Sequence, residues 1–345
     1  IYRVLFAPAN GEWLAVGRVG TLHIYPVKSC YRKEVNFNLS LNLSKRLKNV
    51  DFLHCRDGGV SHGEHFDRQF VVIDEDSEMM CTARQIPKLA ILKVDVCARF
   101  LTVTTPEGAK ATVNLEEVVE KKEWRNAILR KGQSSMGLDC GEEIADLLNQ
   151  YCQSIYGVRM LYYPPTNKSK VDLLSWIWKL IGSRNPVRSF LSELRTSSSK
   201  LQSPKPDKFK VSYVEKSPFY VITESSLASL NERLDRPVTA ANFRPNIVIE
   251  GNTAWDEDRW AQVKFGDETV LNCDQLCTRC TVTTVDPENG TKDAAMEPVK
   301  TMRDFRPVPD GRFVNGRTGP VFGINASLEA PGLIRKGQIV YVKYK

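Results

Sequence analysis

The chain has 345 residues, enough for two domains or one large one, and its 42% hydrophobic and 26% charged residues are ordinary for a globular protein. No uncharged apolar run reaches the roughly 18 residues that a transmembrane helix needs. The net charge is +7, but no Lys/Arg block with interleaved aromatics marks a nucleic-acid surface, so the positive balance fits plain solubility, an anionic membrane or an acidic partner protein.

The chain begins at Ile1 rather than Met, so the lack of a targeting segment within it carries little information on location. Residues 1–15 read as a leader. Val16 to Tyr25 is strand-like and is halted by Pro26, which puts Val27, Lys28 and Ser29 in a loop. Phe70 to Asp74 is a short β-branched run followed by the turn signal Glu75-Asp76-Ser77, which predicts a hairpin whose return strand carries Met79 to Arg84. A second hairpin is predicted from Phe100 to Thr105 and Ala111 to Leu115, around Pro106-Glu107-Gly108. Between Gly141 and Cys152 the apolar residues fall at helical spacing, on Ile144, Leu147, Leu148 and Tyr151.

Composition changes from Pro164 to Pro206. Thr196 to Pro206 is rich in Ser, Pro and Lys, so 164–206 reads as a linker or insertion. Inside it, Val171 to Ile181 carries Trp176 and Trp178 and is followed by Arg184, Arg188 and Arg195. This is an amphipathic helix that either lies at a membrane surface or docks its apolar face on the protein. Beyond it, strands are predicted at Phe219 to Thr223, Asn246 to Glu250, Ala261 to Phe265 and Gln338 to Tyr344. Ser225 or Ser226 caps a short helix from Leu227 to Leu234. The pattern predicts an α+β fold that is mainly β, with barrels or sandwiches and flanking helices. Two domains are expected, over residues 16–163 and 207–345.

Nine cysteines, an odd number at irregular spacing in a long chain, point to free thiols in a reducing compartment. The four histidines all lie within the first 65 residues, so chemistry further along must use other side chains unless the fold brings these across. The sharpest motif is Cys273-x3-Cys277-x2-Cys280. Three readings compete. CxxxCxxC is the iron–sulfur spacing of radical enzymes, yet the 65 residues after Cys280 (345 − 280) are too few for the barrel that normally follows. A structural zinc site needs a fourth ligand that is not evident. In the third reading one thiolate binds a metal whose other ligands come from an anionic cofactor. The loop and strand-end residues Lys28, Ser29, Arg68, Arg84, Arg244 and Asn246 supply positive charge and bidentate donors for it.

At these residues the sequence resembles the MOSC-domain proteins, and among them the amidoxime-reducing branch. The resemblance is carried, in order, by Val19-Gly20 with Tyr25-Pro26-Val27-Lys28-Ser29-Cys30, by Asp67-Arg68-x-Phe70 and by Thr82-Ala83-Arg84-Gln85-x-Pro87. Further on it rests on Ser217-Pro218-Phe219, Asn242-Phe243-Arg244-Pro245-Asn246 and Cys277-x-Arg279-Cys280-x3-Thr284-Val285-Asp286-Pro287. It covers roughly Val16 to the C-terminus apart from 166–205. It implies a MOSC β-barrel domain packed with an N-terminal MOSC-associated β-barrel domain, with molybdopterin bound between them. By the same resemblance Cys280 is the molybdenum thiolate ligand and the catalytic metal position. Lys28, Ser29, Arg68, Ser217, Arg244 and Asn246 match positions that bind the cofactor's phosphate and pterin, with Arg84 and Thr283 as weaker matches. Cys277 matches a cysteine that is not the ligand.

The resemblance also implies an activity: a molybdenum-containing oxidoreductase that reduces N-hydroxylated compounds such as amidoximes and hydroxylamines. Electrons would come from cytochrome b5, itself reduced by an NADH-cytochrome b5 reductase. Its members sit on the mitochondrial outer membrane facing the cytosol, through an anchor that this chain does not contain, and a monomer is expected. The alternative within the family is a cofactor carrier or a sulfurase-related protein without reductase activity. Sulfurases place the MOSC piece behind a pyridoxal-phosphate domain, and this chain shows no lysine setting for a Schiff base, so pyridoxal phosphate is a domain-level association only. Two departures stand out: Lys216 where the family has a small hydroxyl residue, and the Trp-rich stretch at 171–181.

Overall fold

The computed structural model describes residues 11–31, 33–34, 52–56, 59–62, 65–129, 132–153, 157–164, 213, 217–308 and 319–345. The leader up to residue 10, Lys216 and the Trp-rich stretch at 171–181 lie outside them.

The larger unit is a closed seven-stranded barrel. Its strands run in the order Ile247–Glu250, Phe219–Thr223, Val321–Ala330, Thr269–Thr278, Trp260–Phe265, Ile339–Tyr344 and Leu14–Ile24, and the last pairs back onto the first. Closure removes the open edges that would otherwise invite pairing with other chains. Phe219–Thr223 and Ile247–Glu250 are parallel, and the helices Glu224–Asn231 and Ala240–Phe243 make the crossover between them. The closing strand, Leu14–Ile24, comes from the part of the sequence expected to build the N-terminal domain. Gly17 lets it close: a Cβ there would lie 2.1 Å from the Glu250 carbonyl oxygen. The register shift between Val19 and Thr21 changes the strand's parity, so that Val19, Leu22 and Ile24 all reach the barrel core. That core is filled by Phe219, Ile247, Ile249, Trp260, Val263, Phe265 and Val342.

The smaller unit is a barrel of another kind. Trp124–Ile128, Ser134–Asp139, Val158–Tyr162 and Phe70–Asp74 form one sheet. Single bridges from Met80 to Ile73 and from Met79 to Ile128 join its two edges. A three-stranded sheet, Lys93–Cys97, Phe100–Thr104 and Lys110–Asn114, and the helix Glu142–Cys152 pack on it through Leu101, Val103, Ile144 and Leu148. Strands therefore dominate both units and helices flank them, the mainly β, α+β class expected.

Most predicted elements are present, with local differences. Met79 to Arg84 is not a return strand: pairing stops after Met80, and Ala83 to Gln85 form a turn because Gln85 Oε1 accepts the Thr82 N–H at 3.2 Å and the Thr82 hydroxyl. The helix after Phe219–Thr223 starts at Glu224, and its cap is Thr223 rather than Ser225 or Ser226. The Thr223 Oγ1 accepts the Ser226 N–H at 3.2 Å. Ala240–Phe243, to which the sequence reading assigned no element, is one turn of helix whose C-cap is Arg244. The strands Thr269–Thr278 and Val321–Ala330 escape sequence inspection because bulges break their alternation. Among the described residues no helix is long and apolar enough to cross a membrane.

One buried acid ties the crossover helix to the barrel. Glu257 is fully buried, and one oxygen accepts the Ser226 hydroxyl at 2.9 Å and the Thr223 hydroxyl at 3.2 Å, while the other has no partner. Burial pushes its pKa from 4.5 up to about 7, against the lowering effect of its hydrogen bonds. The folded protein thus holds a proton that the unfolded chain releases. The associated stability is present below about pH 4.5, drains away at about 1.4 kcal/mol per pH unit and is gone above about pH 7. E257Q removes this dependence. Urea denaturation from pH 5 to 8 should show the variant's stability relative to wild type rising across this interval, and a constant difference would contradict the assignment.

Candidate functional site

The site lies where the two units meet, and Tyr25 is its anchor. Tyr25 follows the closing strand directly. Its N–H donates to Asp67 Oδ1 at 2.7 Å and its hydroxyl to the Pro245 carbonyl at 3.2 Å. Two guanidinium groups lie against its ring, that of Arg244 at 4.2 Å from the centroid and that of Arg68 at 5.4 Å. Arg68 is paired with the Asp67 carboxylate, and its Nη2 reaches the Arg244 carbonyl at 3.5 Å. Among the described residues Arg244 has no carboxylate within ion-pair distance. Its Nη1 donates to the Cys30 carbonyl, and its Nη2 is buried with no partner. Burial pulls its pKa down to about 10, and the positive charge of Arg68 adds to the fall while Tyr25 opposes it. A desolvated cation beside a second cation is a high-energy arrangement that an incoming anion would relieve.

The backbone at this place is unusual too. Ser29, Arg68 and Arg244 have φ values of 70°, 53° and 59°, in the left-handed region that side-chain-bearing residues avoid. Such conformations cost about 1–3 kcal/mol each and persist where the surrounding structure enforces them, which is most often at functional sites. At Arg68 the enforcing bond is its N–H to the Tyr25 carbonyl at 2.7 Å. At Arg244 it is the helix-capping N–H to the Ala240 carbonyl at 3.1 Å.

The three clustered cysteines do not converge. Cys273 packs in the barrel core, whereas Cys277 packs in the layer outside the barrel with Tyr220, Phe243 and Phe322. Four residues apart on a regular strand would place them on one face; the bulge between Cys273 and Gln275 turns Cys277 to the other. Among the described residues no group of three His, Cys, Asp or Glu is arranged to hold a metal ion, so neither a cluster nor a zinc site is built from this motif. Cys280 is the partly exposed member of the three. It starts the 3-10 turn Thr281–Thr284, with its carbonyl accepting the Thr283 N–H at 3.1 Å and hydroxyl at 3.0 Å, and its side chain makes no capping bond.

A narrow cleft lies between Tyr25, Ser29 and Ala83 of one unit and Asn242, Arg244 and Val285 of the other. Val282, in the turn that Cys280 begins, also lines it. The amide of Asn242 joins the walls by donating to the carbonyls of Thr283 at 3.3 Å and Val285 at 3.4 Å.

The other expected residues fall into two groups. Lys28 is beside the cradle, its Nζ donating to the Tyr213 carbonyl at 2.8 Å, and Arg84 is in the turn next to Ala83 of the cleft wall. Ser217, Asn246 and Thr283 have their side chains engaged within the protein. The Ser217 hydroxyl donates to Asp274 at 3.2 Å, and the Thr283 hydroxyl to Cys280. The fully buried Asn246 accepts the Tyr220 N–H at 3.2 Å and donates to the His23 carbonyl at 3.4 Å, which binds three barrel strands together. Sequence inspection gave no role to Tyr25, Asp67, Asn242 or Arg279. The spacing Thr239-x-x-Asn242 could have flagged Asn242, since its Oδ1 accepts the Thr239 N–H at 3.0 Å.

The donor set fits a phosphate-bearing, thiophilic-metal cofactor: in the cleft a buried guanidinium nitrogen without a partner among the described residues, and, at the start of the turn that carries the wall residue Val282, a partly exposed thiol with no capping bond. Two family models define the class. Residues 16–154 match the MOSC N-terminal beta barrel domain and residues 208–341 match the MOSC domain. Over 331 residues, 95% of this chain and 82% of the relative, it is 32% identical to mitochondrial amidoxime-reducing component 1 of Mus musculus. The Homo sapiens protein of that name is 32% identical over 95% of this chain and 83% of its own length, and that of Xenopus laevis 30% over 94% and 82%. The chain belongs to the MOSC-domain family, in its amidoxime-reducing branch.

The unpaired Arg244 nitrogen makes a prediction for the ligand-free protein. Inorganic phosphate should raise the wild-type melting temperature, and R244M should lose most of that shift while staying folded. Equal shifts in both proteins, read by differential scanning fluorimetry over a phosphate titration, would remove Arg244 from the anion site.

Proposed function

We propose that this chain is a molybdenum-cofactor-dependent reductase of N-hydroxylated compounds, amidoximes and hydroxylamines among them. The carrying observation is a cleft lined both by Arg244, whose Nη2 is buried without a partner among the described residues, and by Val282 of the turn that the partly exposed Cys280 begins. The names of its relatives, amidoxime-reducing components, support the substrate class. In this reading Arg244 and Arg68 hold the cofactor's phosphate, with Lys28 and the Ser29 backbone beside them, and Cys280 supplies a thiolate ligand to the metal. When bound, the molybdenum centre supplies two-electron chemistry that removes oxygen from an N–O bond. The protein's share is to bind, orient and charge-balance: Tyr25 carries the two guanidiniums, Asp67 compensates Arg68, and Asn242 fixes the Cys280 turn against the Arg244 helix. Ser217, Asn246, Arg84 and Thr283 support the walls, and Ser217 can reach a ligand only by leaving Asp274.

Electron supply by cytochrome b5 and its NADH-dependent reductase belongs to the same proposal, supported by the chain's +7 charge, which suits an acidic protein donor. A mitochondrial place is supported by the relatives' names, and its finer position, at the outer membrane and facing the cytosol, belongs to the proposal alone. Metal analysis tests the reading. Wild type should carry about one molybdenum per chain, and C280S should lose it while keeping its fold. C277S should keep it, because Cys277 packs in a separate layer and a serine oxygen can still accept the Arg279 Nη1 bond. Wild type should also reduce benzamidoxime with reduced cytochrome b5. Bound molybdenum without turnover would make the chain a cofactor carrier, and stoichiometric zinc without molybdenum would sink both.

A further inference from the structure

The residue before Cys280 touches both ends of the site. The Arg279 backbone is pinned by its N–H to the Pro320 carbonyl at 2.7 Å, and a Cβ on Gly319 would lie 2.9 Å from the Arg279 carbonyl oxygen. Its side chain turns inward between aromatic rings, 4.6 Å from the Tyr220 centroid and 5.6 Å from that of Phe243. There the guanidinium forks. Nη1 donates to Cys277 Sγ at 3.0 Å and Nη2 to the Phe243 carbonyl at 2.7 Å, while Nε is buried without a partner.

These two contacts join parts that are remote in sequence. Phe243 ends the short helix Ala240–Phe243, and the next residue is Arg244, whose left-handed backbone aims the cradle guanidinium. Cys277 lies near the end of Thr269–Thr278, from which Arg279 leads into Cys280. A single planar cation therefore holds the carbonyl before Arg244 and the strand before Cys280 in one rigid fork.

We propose that Arg279 is a positioning residue that sets the separation and orientation of Cys280 relative to Arg244, and so the fit of a cofactor that must reach both. This rests on the reading of the cleft as a molybdenum-cofactor site. Lysine keeps the charge but has one point of attachment where arginine has a fork, so R279K separates geometry from electrostatics. Methionine keeps most of the stem and removes both.

The test compares wild type, R279K and R279M for melting temperature, molybdenum per chain and the electron paramagnetic resonance spectrum of the molybdenum centre. Removing groups that orient a metal ligand typically weakens metal retention about 10- to 100-fold. R279M should fall in that range during dialysis against a chelator. R279K should lose less, and its remaining metal should give a spectrum displaced from that of wild type, which a purely structural role would leave unchanged. Should R279M fail to fold, R279K decides the matter through its spectrum. Wild-type metal retention and a superimposable spectrum in a folded R279K overturn the inference. Wild type without molybdenum overturns the proposed function, and this inference with it.

Discussion

A buried guanidinium nitrogen with no partner among the described residues, beside a second cation, is the constraint on which the site depends. Arg244 is held under Tyr25, next to a second cation, with one nitrogen unbonded. Isolated buried charge is among the more costly things a fold can contain, and proteins normally neutralise or pair it. Here the neighbouring carboxylate, Asp67, is spent on Arg68. The surrounding structure enforces the arrangement through left-handed backbone at Ser29, Arg68 and Arg244, so the cost is carried by the barrel and the lobe that packs on it. An anionic ligand turns that cost into affinity.

Opposite this charge, the barrel decides which thiol is available. Three cysteines within eight residues would seem able to share a metal, but one bulge in Thr269–Thr278 sends Cys273 inward and Cys277 outward. Cys280 is left in the turn beyond the strand, partly exposed and with no capping bond. The same segment sends Arg279 back beneath Phe243, so the thiol and the anion cradle share a support.

Much of this was legible in the sequence where period and punctuation coincide. The hairpin about Pro106 to Gly108, the helix Glu142–Cys152 and the strand ended by Pro26 all obey local rules, and the structure contains them. The order of the motifs pointed to Arg68, Arg244 and Cys280 as site residues. What sequence could not reveal is how each side chain is spent. Asn246 looks like a ligand by its place beside Arg244, yet its amide is consumed in joining three strands. Tyr25 looks like the last residue of a strand, yet it carries both arginines. Bulges hid two of the longest strands, because one extra residue reverses the alternation by which a strand is recognised. Such facts follow from tertiary neighbours, which no window of residues contains.

The way the barrel closes has a consequence for how the molecule is made. Its strand Leu14–Ile24 pairs with Ile247–Glu250 and with Ile339–Tyr344, both synthesised long after it. Contacts so distant in sequence are slow to form, and the seam cannot close until Ile339–Tyr344 has been synthesised. Until then the early strand presents bare edges, whereas the paired strands of the small barrel's main sheet all lie between Phe70 and Tyr162. The cradle at Tyr25 exists only after the last strand docks. Cofactor capture thus follows closure of the barrel, and loss of Ile339–Tyr344 would remove the site together with the seam that closes it.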